Sequence, residues 1–150
     1  MSISIDVQNA SSNNQLPTNE QLQSWVESVL SRYERSFELT IRIVDEGESQ
    51  TLNHQYRGID KPTNVLSFPF DVPEGIELDL LGDIVVCASV VEQEAKQQNK
   101  ALFDHWAHMV IHGCLHLLGY DHIEPEEAEE MEAIEISVLS KLNISNPYEC

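Results

Sequence analysis

The sequence predicts an α+β (α/β-like) domain in which one sheet of about four strands is packed by about five helices. Three observations carry this reading. Apolar and polar residues alternate along "ISIDVQN" (Ile3 to Asn9) and "ELTIRIVD" (Glu38 to Asp45), the period-2 signature of half-buried strands. "LGDIVVCAS" (Leu81 to Ser89) is almost wholly apolar, as expected of a central strand covered on both faces. Three stretches with helical spacing then follow, at 90–98, 102–118 and 126–142. Strands and helices are interleaved along the chain, and each needs the other to bury its apolar side.

After the first strand, "NASSNNQLPTNEQ" reads as a loop. Thr18 is placed to cap a helix, with Gln21 at the capping-box position. Leu22, Trp25, Val26 and Val29 follow at helical spacing, so a helix is expected over 19–33. Beyond the second strand, "EGESQTLNHQYRG" has helical spacing at Leu52 and Tyr56 and ends on Gly58, a suitable C-terminal cap. "IDKPTN" is a turn and "VLSFPF" (Val65 to Phe70) a short strand. Pro69 has no N–H to give to a ladder, which assigns this strand to a sheet edge. "DVPEGIELD" is the loop that leads to the central strand.

A chain of 150 residues with 41% hydrophobic residues can bury a core as one domain, taken here as 1–150. It contains no run of about 18 apolar residues, so no transmembrane helix is expected. "MSISIDVQNASS" has neither the basic start nor the apolar centre of a signal peptide. Cys87, Cys114 and Cys150 are few and far apart, which suits a reducing cytoplasm rather than a disulfide framework. Eight Lys and Arg oppose 26 Asp and Glu, a net charge of −18. Such a field repels nucleic acid at long range and favours metal cations and basic protein partners. Much of the acid lies in "EPEEAEEMEAIE" (Glu124 to Glu135), read as a solvated helix face or a docking surface for a basic partner.

The chemistry is concentrated in "HGCLHLLGYDH". His112 and His116 are one helical turn apart, ~6 Å of rise on one face, so their imidazoles can share a cation. Gly119 can end the helix in a left-handed cap, and the following turn returns His122 to the same face. Three neutral nitrogens leave the fourth position of a tetrahedral zinc open, the layout of a catalytic site with one Zn2+ per chain. Histidine ligands also suit nickel, copper and iron. His105 and His108 fall on the same stripe, within about 80° of the wheel. They are expected to be hydrogen-bonded groups of a half-buried face that orient ligands. Cys114 points away from its histidine neighbours and reads as a core thiol.

The spacing is that of a zinc protease, yet Gly113 stands where a protease carries its glutamate base. Asp121, Asp60 and Asp83 are candidates for proton transfer; Asp121 can equally orient a histidine, and the other two can serve turns or caps. Arg57 ends a helix just before a glycine. It can hold a phosphate in bidentate fashion and balance developing charge, or simply complement a helix C-terminus. Lys61 and Asn64 lie in the same loop, where Lys61 can assist with a phosphate backbone and Asn64 can orient the loop or touch substrate. Phe68 and Phe70 share a face of the edge strand. Both rings are expected in the core, the alternative being a ring that stacks on an unpaired base.

With "HGCLHLLGYDH", "YRGIDKPTNVLSFPF" (Tyr56 to Phe70) and "LGDIVV" (Leu81 to Val86) in order, most of the chain resembles the YbeY family of bacterial endoribonucleases. The resemblance implies a mixed four-stranded sheet, a single zinc held by His112, His116 and His122, and a functional arginine at Arg57. It implies single-stranded RNA as substrate, in small-subunit ribosomal RNA 3′-end maturation and ribosome quality control. Given the acidic surface, specificity is expected to come from basic ribosomal proteins or assembly factors. Two alternatives stay open: a zinc peptide hydrolase, which Gly113 disfavours, and a non-catalytic assembly factor with a structural zinc.

Overall fold

The two alternating segments form neighbouring parallel strands. The computed structural model describes residues 2–33, 35–70, 79–120 and 124–148. In it β1 (Ile3–Asn9) pairs with β2 (Phe37–Val44) from Ile3 opposite Phe37 to Asn9 opposite Ile43. The apolar segment forms β4 (Leu80–Cys87), which lies parallel to β2 on one side and antiparallel to β3 (Val65–Pro69) on the other. The sheet is therefore mixed, in the order β1-β2-β4-β3. β3 takes the edge, and Pro69 ends it opposite Gly82.

Five helices accompany the sheet among the described residues: α1 (Asn19–Leu30), α2 (Glu46–Arg57), α3 (Ala88–Gln97), α4 (Leu102–Leu117) and α5 (Pro125–Lys141). Thr18 and Gln21 make the reciprocal capping box that starts α1. This helix stops three residues short of the expected Tyr33. Arg32 and Tyr33 bond back to Val29 and Leu30, three residues rather than four, and the tightened turn closes the helix. Gly58 and Gly119 both take positive φ, 73° and 102°, in the turns that follow α2 and α4.

Alternation in β2 and β4 divides the core. Ile41, Ile43, Ile84 and Val86 face α1 and α4, whose Val26, Trp106, Val110 and Ile111 are fully buried. Val44, Val85 and Cys87 turn to the other face and pack with Leu66 of β3, against Leu52 of α2. Ala101 gives α4 no side-chain cap, yet the helix is buried without a break from His105 to Ile111. Burial rather than capping holds it. A helix so enclosed can place polar side chains only where other polar groups meet them.

Candidate metal centre and groove

The four histidines of α4 form a continuous row. Consecutive rings lie 6.2 Å (His105 to His108), 6.2 Å (His108 to His112) and 4.5 Å (His112 to His116) apart. At the C-terminal end of the row, His112 Nε2 and His116 Nε2 face each other at 3.0 Å. Behind them, His112 Nδ1 lies 2.6 Å from Glu135 Oε1. Glu135 is fully buried on α5, and its other oxygen accepts the Tyr148 hydroxyl. His108 Nε2 sits between the two, 3.3 Å from Tyr148 Oη and 3.4 Å from Glu135 Oε1.

This arrangement sets the protonation. Burial alone would raise the Glu135 carboxyl, but the bonds from His108 and His112 more than offset it and bring it down to about 2. Burial, reinforced by the bond to Glu135, pushes the Tyr148 phenol well above its usual range. An ionised carboxylate only accepts, so His112 donates from Nδ1. Its Nε2 faces His116.

Those contacts bear on a metal directly. Two imidazole nitrogens 3.0 Å apart, one with its tautomer fixed by a carboxylate behind it, suit a shared borderline cation. Among the described residues, His108, His112 and Glu135 also bring three ligand atoms within 4.8 Å of one another. This group and the His112–His116 pair share His112. The 2.6 Å contact between His112 and Glu135 is that of a charge-assisted hydrogen bond. His122 and Asp121 lie outside the described residues.

The pair opens onto a groove of about 930 Å³ whose walls include Tyr56, Arg57, Asn64, Phe68 and Tyr120. Arg57, the last residue of α2, is exposed, and among the described residues its guanidinium pairs with no carboxylate. Asn64 gives its amide hydrogens to Glu94, at 3.1 and 3.3 Å, and takes the Val65 N–H at 2.6 Å. Both ends of the amide are thus engaged in holding the entry to β3. Lys61 is exposed in the turn and contributes its carbonyl to Asn53. Asp60 accepts from Gln50, and Asp83 lines a neighbouring cavity of about 400 Å³.

The aromatic expectation needs correcting. Phe70, just past the end of the edge strand, is 47% exposed, whereas Phe68 is half-buried and packs against the cluster of Val44, Leu66, Val85 and Cys87. Tyr56, itself 60% exposed, packs edge-on against Phe68 with ring centres 4.9 Å apart.

Gly113 faces the sheet rather than the groove. A Cβ there would come within 3.1 and 3.2 Å of the Ile84 side chain, so α4 rests closely on β4 and a larger residue would need Ile84 to give way by a few tenths of an ångström. Ser67 of β3 reinforces this by donating to the Gly113 carbonyl at 3.2 Å. A glutamate at this position would meet the core.

The other end of the row is buried, beside a separate cavity of about 780 Å³ that His105 and His108 help to line. His105 is buried and its Nε2 lies 2.9 Å from Glu94. Burial raises the Glu94 carboxyl, but the bonds from His105 and Asn64 more than offset it, and the net shift is downward. Cys114 is fully buried and its thiol is pushed up to about 12 by desolvation, as befits a core residue. Sequence reasoning missed Glu135, Tyr148 and Glu94. Glu135 had a signal: it shares a helical stripe with Met131, Val138 and Leu139, all buried. Tyr148 and Glu94 had none.

The model of the family described as "Endoribonuclease YbeY" matches residues 6–143. The chain belongs to this family. A curated relative from Colwellia psychrerythraea, named "Endoribonuclease YbeY", is 63% identical over 148 residues, spanning 96% of both chains. The solution structure of TM1509 from Thermotoga maritima superposes with a TM-score of 0.61 at 28% identity, covering 97% of each chain.

Proposed function

We propose that this protein is a zinc-dependent endoribonuclease that cuts single-stranded RNA. Ribosomal RNA is the substrate expected, in 3′-end maturation of the small subunit and in ribosome quality control. One observation carries the reading: the facing Nε2 atoms of His112 and His116, 3.0 Å apart, stand on the wall of a groove that also contains Arg57. The names of the family and of the Colwellia relative support the endoribonuclease class.

His112, His116 and His122 would hold one Zn2+ per chain. Zinc bound there supplies Lewis-acid polarisation of a phosphoryl oxygen and a water of lowered pKa. The chain's own groups do the rest. Glu135 keeps the His112 Nε2 lone pair turned to the groove. The Arg57 guanidinium takes the phosphate in a fork and balances the charge that builds up as the bond breaks. Asn64 holds the loop between Arg57 and β3 in place, with Lys61 and Asp121 in supporting roles. The peptide-hydrolase alternative has no base at Gly113, whose Cα faces Ile84.

RNA must be delivered against a net charge of −18. Glu126, Glu127, Glu129 and Glu130 of α5 are exposed and suit basic ribosomal proteins or assembly factors in the cytoplasm. No helix among the described residues is long and apolar enough to cross a membrane.

The test is cleavage of a labelled single-stranded RNA by zinc-loaded protein, beside His116→Ala and Arg57→Ala prepared in parallel. Loss of cutting in both folded variants supports the reading. Equal cutting by all three proteins would assign the activity to a contaminant and sink it.

A further inference from the structure

The Tyr148 hydroxyl makes a contact that its surroundings do not require. The residue is 45% exposed near the end of the chain, yet its Oη reaches Glu135, which is 0% exposed. The segment around it is held from several sides. Tyr148 N donates to Asn146 Oδ1 at 2.8 Å, Lys100 Nζ donates to the Pro147 carbonyl at 3.2 Å, and the ring packs edge-on against His108 at 5.5 Å. Glu135 thereby has both oxygens engaged: Oε1 takes His112 Nδ1 at 2.6 Å, and Oε2 takes Tyr148.

We propose that Tyr148 and Glu135 are positioning residues for the metal, a relay through which the C-terminal segment sets the metal affinity of His112. The inference rests on the reading of His112 as a ligand. A carboxylate that accepts from Nδ1 fixes the tautomer, orients the ring and makes Nε2 a stronger donor. A buried carboxylate with one oxygen unpaired would rotate or seek another donor, and either motion disturbs the ring behind which it sits. Tyr148 fills that second oxygen and holds the carboxylate square to His112. In this role Glu135 stays outside the coordination sphere, although its oxygen lies near His108 and His112.

The experiment measures Zn2+ affinity by competition with a chromophoric chelator for the full chain, Tyr148→Phe, Glu135→Gln and His105→Gln. The Co2+ absorption spectrum of each loaded protein and the unfolding temperature of each metal-free protein are recorded alongside. Tyr148→Phe removes one oxygen at a partly exposed site, so it tests the idea even if Glu135→Gln does not fold. Zinc affinity should fall about 10-fold in Tyr148→Phe and up to ~100-fold in Glu135→Gln, with the Co2+ spectrum unchanged. His105→Gln should bind as the parent does. Unchanged affinity in Tyr148→Phe would overturn the relay. An altered Co2+ spectrum in Glu135→Gln would overturn it too, by making Glu135 a ligand. A parent chain that binds no zinc would end the metal reading and the relay together, whereas loss of RNA cleavage with zinc binding intact would end only the nuclease reading.

Discussion

Two histidines of α4 each meet a carboxylate from another helix within 3.0 Å, and they do so through different nitrogens. At one end of the row, His105 meets Glu94 through Nε2 at 2.9 Å. At the other, His112 meets Glu135 through Nδ1 at 2.6 Å. The pairs match in chemistry and nearly in distance; they differ in which nitrogen is spent. His105 spends the outer nitrogen, and its Nδ1 stays buried without a partner among the described residues. His112 spends the inner one and presents its Nε2 to His116 and the groove. The side from which its carboxylate approaches decides which nitrogen a histidine of this row leaves for other partners.

Substitutions at the two ends should separate most widely. His116→Ala should lower RNA cleavage about 10³-fold or more, the several kcal/mol that a bound cation supplies. His105→Gln should leave cleavage near the parent level and lower stability by about 1–3 kcal/mol, read by urea denaturation, as Glu94 loses a partner. Comparable loss of cleavage in both variants would break the distinction. Arg57→Ala comes next, with cleavage expected to fall roughly 10²–10³-fold and the unfolding midpoint unmoved. Its side chain is exposed and at the groove end only.

A fourth substitution asks what fixes the row itself. Gly113→Ala presses a methyl on Ile84, and overpacking of this kind costs about 1–3 kcal/mol. Denaturation should show that loss. A neutral result would mean that α4 can shift on β4 and that its register is not pinned there. The smallest effect is at Glu94. Its folded pKa lies below its ordinary value of 4.5, so its stabilisation is fully present above that pH and lost as pH falls through the folded value. The stability gap between the parent and Glu94→Gln should therefore be constant at neutral pH and close below about pH 4.5. A gap that widened in acid would contradict the downward shift.

Much of this was legible in advance, for local reasons. Alternation marked β1 and β2, Pro69 marked the edge strand, and Thr18, Gly58 and Gly119 marked helix ends through backbone geometry that each residue imposes on itself. His112 and His116 were legible because four residues make one turn whatever surrounds them. Glu135 was hidden in a run of seven glutamates, most of them exposed, where composition outweighed its place on the buried stripe. Phe70 was misjudged because burial of an edge-strand residue depends on what lies beyond the edge.

The amino-acid order alone thus determined the elements, the edge position of β3 and the facing pair on α4, since each follows from periodicity or from one residue's conformational limits. Tertiary structure alone decided that Arg57 shares a groove with that pair, that Gly113 is closed off by Ile84, and that Glu135 and Tyr148 stand behind His112. Those contacts join residues 13 to 59 positions apart in the chain, and no local rule reaches across such a distance: only packing the helices on the sheet brings α2, α4, α5 and the C-terminal segment to one place.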